Sequence, residues 1–163
     1  MIGRTMRLIA GAMLGLGLAL GASPASASER SWHLGSAERL QVEAPLAVTV
    51  TTGAGNAVRA TADDPHVLEA LEVTVNAGTL LIRLAGNAVR PATSLRGAVT
   101  VAVPRLQSVA LFADAPVSVV GMRGDRVMLT VTGKGALTVT ALDTPQLVAT
   151  LIGGGSLSLA GRA

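Results

Sequence analysis

The chain has 163 residues, with 13 lysine and arginine side chains against 10 aspartate and glutamate side chains, a formal net charge of +3. It contains no cysteine, which excludes disulfides, thiolate catalysis and thiolate metal ligands. One Trp, one Phe and no Tyr leave too few aromatic rings for the stacking platforms of single-stranded nucleic-acid binders, and the charge gives no basic footprint for nucleic acid.

Residues 1–27 have the three parts of a secretory signal peptide. Arg4 and Arg7 precede an uncharged run over residues 8–22, and Ala25-Ser-Ala27 provides a small-residue cleavage pattern. Because a membrane-spanning helix needs about 20 apolar residues, the sequence favours a cleaved leader over the alternative, a retained anchor. We expect cleavage near Ala27 and export to the periplasm, the outer membrane surface or the extracellular space. The mature chain then has 11 basic residues against 10 acidic ones and is long enough for one domain.

Three local patterns are predicted between residues 28 and 71. Residues 28–41 are polar and mixed, typical of an N-terminal tail in which Trp32 covers an exposed end of the core. Apolar residues alternate from Leu46 onward, and a glycine-containing turn at 53–56 leads to a second apolar run, which predicts a β-hairpin. Asp64 followed by Pro65, with apolar residues at helical spacing after them, predicts a short connecting helix over 65–71.

A second pair of strands and a long loop are predicted over residues 73–103. Alternating apolar residues at 73–75 and 80–84 flank the turn Asn76-Ala-Gly78, again a hairpin pattern. Residues 85–97 are expected to form the longest loop, a length at which function sometimes resides. Alternation returns over residues 98–103 and ends at Pro104.

Residues 106–161 contain three segments that superpose at a period of about 20 residues, as the repeats of solenoid proteins do. The recurring strand signals are Val109-Ala-Leu111, Leu129-Thr-Val131 and Ala149-Thr-Leu151, then Val117-Ser-Val119, Leu137-Thr-Val139 and Leu157-Ser-Leu159. The links within the segments are Ala113-Asp-Ala-Pro116, Gly133-Lys-Gly-Ala136 and Gly153-Gly-Gly-Ser156. Such repeats are typical of a coil of β-strands, in which each rung depends on its neighbours for hydrogen bonds and core cover. The sequence therefore predicts an all-β, solenoid-like single domain over residues 42–163.

Stacking these rungs at the spacing of a β-sheet, about 4.8 Å, places like residues above one another. The expected inward files are Leu111, Val131, Leu151 and Val117, Leu137, Leu157, and the expected outward hydroxyl file is Ser118, Thr138, Ser158. Asp114 and Lys134 share one column of the links, where we expect a solvated ion pair and not a binding site. The glycines of the later links suit positive φ or close approach of the chain. The first link has alanines in their place and should differ in geometry.

Several short motifs occur in a fixed order along the chain. They are Val73-Thr-Val-Asn-Ala-Gly-Thr-Leu-Leu-Ile82, Ala98-Val-Thr-Val-Ala-Val-Pro-Arg-Leu106, Gly133-Lys-Gly135 and Gly153-Gly-Gly-Ser-Leu-Ser-Leu-Ala-Gly161. In these motifs the chain resembles the putative autotransporter adhesin family with the head GIN domain, over roughly residues 40–163. The resemblance implies a right-handed β-helix-like fold in a secreted or envelope-associated bacterial protein, and it brings no catalytic residues. Similar proteins often continue with more rungs where this sequence has Ala163.

The sequence contains no motif for catalysis, cofactor binding or metal binding. His33 and His66 have no second ligand at a metal-binding spacing. Asp114, Asp125 and Asp143 fall at different positions of their rungs, so they do not form the paired carboxylates that a glycoside hydrolase needs. We therefore predict no catalytic residue, no metal ligand and no cofactor.

The remaining features concern contacts with other molecules. One outward column, formed by Phe112, Thr132 and Ile152, is either a contact surface or, as we favour, packs at a corner of the core. The strands over 149–159 would be uncapped, so we expect self-association through this end. The sequence predicts a non-enzymatic interaction module for an unidentified protein or glycan at the cell envelope. Two alternatives stay open: a polysaccharide-processing enzyme, which needs a cleft with clustered acidic and basic residues, and a structural accessory protein.

Overall fold

The fold is seen in a computed structural model that describes residues 28–53, 55–85 and 96–163. The predicted signal peptide, residues 1–27, lies outside these ranges, as does most of the loop predicted at 85–97.

In the described residues, β-strands and one short helix follow one another along the chain. The strands are β1 (Ser28–His33), β2 (Arg39–Val42), β3 (Ala47–Thr52), β4 (Ala57–Ala62), β5 (Leu71–Asn76), β6 (Thr79–Leu84), β7 (Gly97–Val103), β8 (Ser108–Leu111), β9 (Pro116–Val120), β10 (Val127–Thr132), β11 (Ala136–Asp143), β12 (Leu147–Ile152) and β13 (Ser156–Arg162), and the helix is α1 (Pro65–Ala70). The predicted all-β class is confirmed. The helix starts as predicted, because the Asp64 carboxylate accepts a hydrogen bond from the His66 N–H at 2.9 Å and Pro65 lies in the first turn.

The strands form two mixed sheets. The first sheet has the order β1-β4-β7-β3-β9-β11-β13, and the second has the order β12-β10-β8-β2-β6-β5. Antiparallel pairing is confined to β1, β4 and β7 in the first sheet and to β5 and β6 in the second. All other neighbours are parallel.

Five pairs of strands that belong to the parallel ladders occupy corresponding places in the two sheets, and we call each of these pairs a level. In spatial order the levels are β6–β7, β2–β3, β8–β9, β10–β11 and β12–β13. The level β2–β3 comes first in the chain but lies between two levels that follow it in sequence. The spatial order of the levels therefore differs from their order in the sequence.

The last three levels stack in the register that the sequence repeat predicts. Val131 pairs with Leu111 and with Leu151, and Leu137 pairs with Val117 and with Leu157. Thr138 pairs with Ser118 and Ser158, so the hydroxyl file is also confirmed. The register is well determined, because a shift by one residue would turn each aliphatic file toward solvent.

Inward-facing side chains from both sheets form one apolar core. In β10, for example, Val127, Leu129 and Val131 are fully buried, whereas Met128 between them is exposed. Burying one such aliphatic side chain stabilises the fold by roughly 1.5–3 kcal/mol. Because the core runs continuously through the levels, each level is stabilised mainly by the levels that cover it.

The hairpin predicted from residues 46 to 60 is wrong. β7 lies between β3 and β4, parallel to the first and antiparallel to the second. Val101 thereby pairs with Val50 on one side and Val58 on the other, which extends the buried aliphatic file through three strands. The second predicted hairpin is confirmed, since β5 pairs with β6 across a turn in which Ala77 and Gly78 both have positive φ.

The segment predicted to be a polar tail, residues 28–41, contains β1 and most of β2. β1 pairs with β4 at the edge of the first sheet, and Trp32 is half-buried against the core, with the Arg30 guanidinium 5.2 Å from its ring centroid. β2 lies inside the second sheet with Leu40 and Val42 buried. Most polar residues of this segment are therefore exposed side chains of β1 and β2.

The glycine links behave as their sequence predicts. Gly133 has φ +111°, and a Cβ on Gly135 would meet backbone and side-chain atoms of the preceding level. In the first link Ala113 lies at the position of Gly133 and, within the described residues, is not among those with positive φ. The geometry of the first link therefore differs, as expected.

The two ends of the stack are different. At one end α1 packs against β1, β4 and β5, with Val67 and Leu68 buried. At the other end β12 and β13 are the outermost strands of their sheets. Leu151 and Leu159, which continue the inward files, are 46% and 38% exposed there.

Candidate functional site

A cavity of about 520 Å³ lies where three neighbouring strands of the first sheet end. Because β7, β3 and β9 are parallel, their C-terminal ends meet at one edge. The lining residues follow these strands: Thr52, Gly53, Pro104, Arg105, Gln107, Gly121, Arg123, Gly124 and Asp125. The volume falls within the range of small-ligand pockets.

The cavity results from the way the level β2–β3 is inserted in the stack. From β7 and β9 the chain crosses to the second sheet through links 104–107 and 121–126, whereas from β3 it continues to β4 in the same sheet. The first link spans from the level of β7 to that of β8 and so passes the level of β3. Since β3 supplies no crossing chain of its own, a space remains between the two links.

Backbone hydrogen bonds hold the walls of this cavity. The N–H of Gln107 donates to Glu38 O at 2.8 Å, and the N–H of Gly121 donates to Thr140 O at 2.9 Å. The N–H of Gly53 donates to Val103 O at 3.0 Å, and the Thr52 hydroxyl lies against the carbonyl oxygens of Val120 and Gly121. The chain around the cavity is therefore fixed by the sheets on both sides.

The charged groups of the cavity are two arginines and one aspartate. Arg105, Arg123 and Asp125 are all exposed, so solvent reaches them. In the described residues, which include every Asp and Glu of the chain, ion pairs within 4.0 Å join Glu29 to Arg59, His66 to Glu69 and Glu72 to Arg83. Both cavity guanidinium groups are therefore without a carboxylate partner at this distance.

One function left open by the sequence is a polysaccharide-processing enzyme, which needs a cleft with clustered acidic and basic residues. The cavity contains both signs of charge, but Asp125 is its single carboxylate. Asp143 lies at the end of β11, paired in register with Arg162, and Asp114 lies in the link between β8 and β9. The three aspartates therefore do not form a carboxylate pair in this cavity.

The predicted ion pair in the links has a different form. The Asp114 carboxylate accepts a hydrogen bond from the backbone N–H of Lys134 at 2.8 Å, and the Lys134 ammonium forms none of the ion pairs among the described residues. A carboxylate that binds a backbone N–H of the next level ties two links together. This contact is structural.

In the column of Phe112, Thr132 and Ile152, the two large apolar side chains are exposed and do not pack at a corner of the core. Phe112 is 49% exposed and Ile152 is 58% exposed, and Thr132 pairs with Ile152 in the ladder between β10 and β12. Our preference for a packed corner was wrong, because Phe112 and Ile152 remain accessible to solvent. Ile152 lies in the last level, where Leu151 and Leu159 are also exposed, whereas Phe112 follows β8, two levels away.

The predicted absence of a metal site can be compared only with the described part of the chain. There, no three His, Cys, Asp or Glu side chains are grouped as metal ligands would be. His66 lies on α1 beside Glu69, and His33 ends β1. In the same residues, no helix has the length and hydropathy needed to cross a bilayer.

Sequence reasoning did not single out Arg105, Gln107 or Arg123. A usable signal existed, because Arg105 and Arg123 each follow closely after the end of an alternating strand. The insertion of β3 between β7 and β9 sets their links apart and leaves the space that both arginines line, and no local pattern indicates that insertion.

The matched sequence family covers most of the chain. The chain belongs to the family described as "Putative auto-transporter adhesin, head GIN domain", whose model matches residues 38–163. No curated protein matches the chain.

Three solved structures share the fold. A putative adhesin from Bacteroides fragilis has a TM-score of 0.72 at 14% identity, over 81% of this chain and 61% of that one. A putative adhesin from Parabacteroides merdae has a TM-score of 0.67 at 10% identity, over 81% and 55%. A putative lipid binding protein from Parabacteroides distasonis has a TM-score of 0.61 at 12% identity, over 82% and 66%. The chain thus spans between about half and two thirds of the length of these proteins.

Proposed function

We propose that this protein is a non-enzymatic interaction module that is exported and acts at the cell envelope or outside the cell. The observation that carries the proposal is the exposed apolar surface of the last level, formed by Leu151, Ile152 and Leu159. Exposed apolar surface in one region is typical of sites that bind another macromolecule. Membership of an adhesin-type family supports the same class of function.

Export depends on residues 1–27, which we propose to be a signal peptide cleaved near Ala27. The supporting pattern is the sequence of charged, apolar and small-residue segments. N-terminal sequencing of the protein recovered from the periplasm or medium should begin at or near Ser28. Recovery of an uncleaved chain in the inner membrane would contradict it.

The architecture we propose is a short right-handed β-solenoid that occupies a single domain over residues 42–163. Its support is the parallel register of equivalent residues of successive repeats in both sheets. In a solenoid, repetition places like side chains in files on the outer faces, which makes extended binding surfaces.

The partner that we propose for the last level is a second copy of this chain. An edge strand with unpaired N–H and C=O groups is a template for another strand, and β12 and β13 are the two edge strands at this end. At the opposite end α1 packs against β1, β4 and β5, so we propose that the end without a helix on one copy meets the same end of another. Contact between like ends gives a closed dimer and not a fibre.

Sedimentation velocity over a wide concentration range tests this dimer. The mature chain should show a monomer–dimer equilibrium, and Leu151→Lys should shift it toward monomer, because a charge would be buried in the contact. Met128→Lys, on the outer face of the neighbouring strand, is the matched control and should leave the equilibrium unchanged. A strictly monomeric chain, or equal loss in both variants, would contradict the dimer.

One experiment on the mature protein distinguishes an interaction module from a polysaccharide-processing enzyme. Glycan arrays and envelope fractions should show saturable binding, while incubation with a panel of polysaccharides should release no product. Product release would contradict the interaction module and support the alternative, a polysaccharide-processing enzyme. Absence of saturable binding to any of these targets would leave the third possibility, a structural accessory protein.

A further inference from the structure

We infer that the cavity between links 104–107 and 121–126 binds a carboxylate-bearing saccharide, a uronic acid residue of an acidic polysaccharide. Arg105 and Arg123 would hold the carboxylate, and Asp125 and Gln107 would bind the sugar hydroxyls. This inference rests on the proposed function, because it names the ligand class and the site of a glycan-binding module.

The two arginines indicate an anionic ligand. A guanidinium group presents planar paired donors that match a carboxylate, and such charge-assisted bonds are stronger than neutral ones. Arg105 and Arg123 line the same cavity and belong to none of the ion pairs among the described residues. Asp143 is the ladder neighbour of Arg123 but forms no ion pair with it within 4.0 Å, so both guanidinium groups can bind a ligand. The other side chains of the cavity are small or neutral, apart from Asp125.

The net charge of the cavity favours a singly charged group. With Arg105, Arg123 and Asp125 as its charged residues, the lining has a net charge of +1. A carboxylate neutralises it, whereas a phosphate monoester of charge near −2 would leave excess negative charge beside Asp125. The Asp125 carboxylate and the Gln107 amide can accept hydrogen bonds from hydroxyl groups, which a saccharide supplies.

The composition of the cavity also argues against a neutral sugar as the main ligand. The protein has only Trp32 and Phe112 as aromatic residues, and neither lines the cavity. A neutral sugar ring would therefore find no stacking surface. Recognition depends on the charged and polar groups, and the volume of about 520 Å³ is suited to one or two sugar residues.

The lining segments are fixed before a ligand arrives. Gly121 N–H binds the carbonyl oxygen of Thr140 in β11, Gln107 N–H binds that of Glu38 just before β2, and Gly124 N–H lies 3.4 Å from Asp143 O. Since Arg105 and Arg123 project from segments held in this way, little backbone ordering is needed on binding. Preorganisation lowers the entropic cost of binding a small ligand.

The test uses titration calorimetry of the mature protein with three probes of equal length. These are tri-galacturonate, its fully methyl-esterified form and a sulfated trisaccharide. We expect saturable binding of tri-galacturonate, at least about tenfold weaker binding of the neutral ester, and weakening with added salt. Tighter binding of the sulfated probe would overturn the assignment to a carboxylate.

Variants locate the site. The double variant Arg105→Gln/Arg123→Gln should weaken tri-galacturonate binding at least about tenfold, because each charge-assisted bond is worth more than a neutral one. Arg126→Gln removes the same kind of charge from the same link, but Arg126 does not line the cavity and instead binds Gln146. It should change the affinity less than about twofold. Unchanged thermal midpoints show that the exposed substitutions leave the fold intact.

The outcomes separate this site from the general function. If tri-galacturonate binds equally to the wild type and the double variant, the cavity assignment is overturned while glycan binding stands. If tri-galacturonate does not bind but another glycan binds saturably, the acidic ligand is overturned and the interaction module stands. If no glycan or envelope fraction binds, both proposals fail together.

Discussion

Gly133 shows how a single residue type determines the geometry of a link. Its φ of +111° lies in the region that residues with a Cβ rarely adopt. An L-residue held there costs about 1–3 kcal/mol. We expect Gly133→Ala to lower the free energy of unfolding by about that amount, as measured by urea denaturation.

Gly154 provides the matched control. A Cβ there would have no atom within 4 Å, and its φ is not in the left-handed region. Gly154→Ala should therefore change stability by less than about 0.5 kcal/mol. Equal losses in both variants would mean that glycine is needed for a reason other than φ.

The second prediction at a single residue concerns the contribution of the Asp114 side chain to stability. Its carboxylate binds the backbone N–H of Lys134, so Asp114→Ala should cost about 1 kcal/mol, whereas Lys134→Ala should cost almost nothing. Urea denaturation at low and high salt measures both. If the two variants lose equal stability, and only at low salt, the ion pair expected from the sequence would be the correct description.

Two leucines of one inward file allow the same substitution to be compared in the middle and at the end of the stack. Leu111 in β8 is fully buried, whereas Leu151 in β12 is 46% exposed, and both pair with Val131. We expect Leu111→Ala to cost about 2–5 kcal/mol through lost burial and a cavity. Leu151→Ala should cost less than about 1 kcal/mol, because its environment is already open to water.

Thermal or urea unfolding at low protein concentration measures this difference. Low concentration keeps self-association from adding to the stability of Leu151. A large loss for Leu151→Ala under these conditions would mean that the last level is covered in the monomer.

The sequence predicts elements well where the pattern is local and repeated. Leu111, Val131 and Leu151 share an inward file because alternation and a constant spacing determine both face and register. The Asp64-Pro65 start of α1 is likewise a local signal. Residues 46–60 were assigned to a hairpin because their turn signal is local too, but β7 forms hydrogen bonds on both of its edges and separates β3 from β4.

The cavity was not predictable for the same reason. Arg105 and Arg123 belong to different links of the chain, and the cavity that both line exists because β3 lies between β7 and β9. Strand order in a sheet depends on which edges the whole core leaves available, and this is a property of long-range packing. Composition alone gave no reason to prefer these two arginines to others.

For the whole molecule, the stack predicts a gradient of local stability. Each level is stabilised by the levels on either side, and among the residues that the structure describes β12–β13 has a neighbour on one side only. In native-state hydrogen exchange, amides of β12 and β13 should exchange faster than those of β3 and β9. Uniform protection in dilute monomer would contradict the gradient, and protection of β12 and β13 that rises with concentration would support the dimer.

The insertion of β2–β3 has a consequence for how the chain reaches its native state. β2 needs β6 and β8 as neighbours, and β3 needs β7 and β9. A growing chain that has not yet reached Val120, where β9 ends, lacks the last of these partners. One edge of β2 and one edge of β3 therefore stay unpaired until β8 and β9 have been synthesised, so this level is enclosed on both sides only late in synthesis.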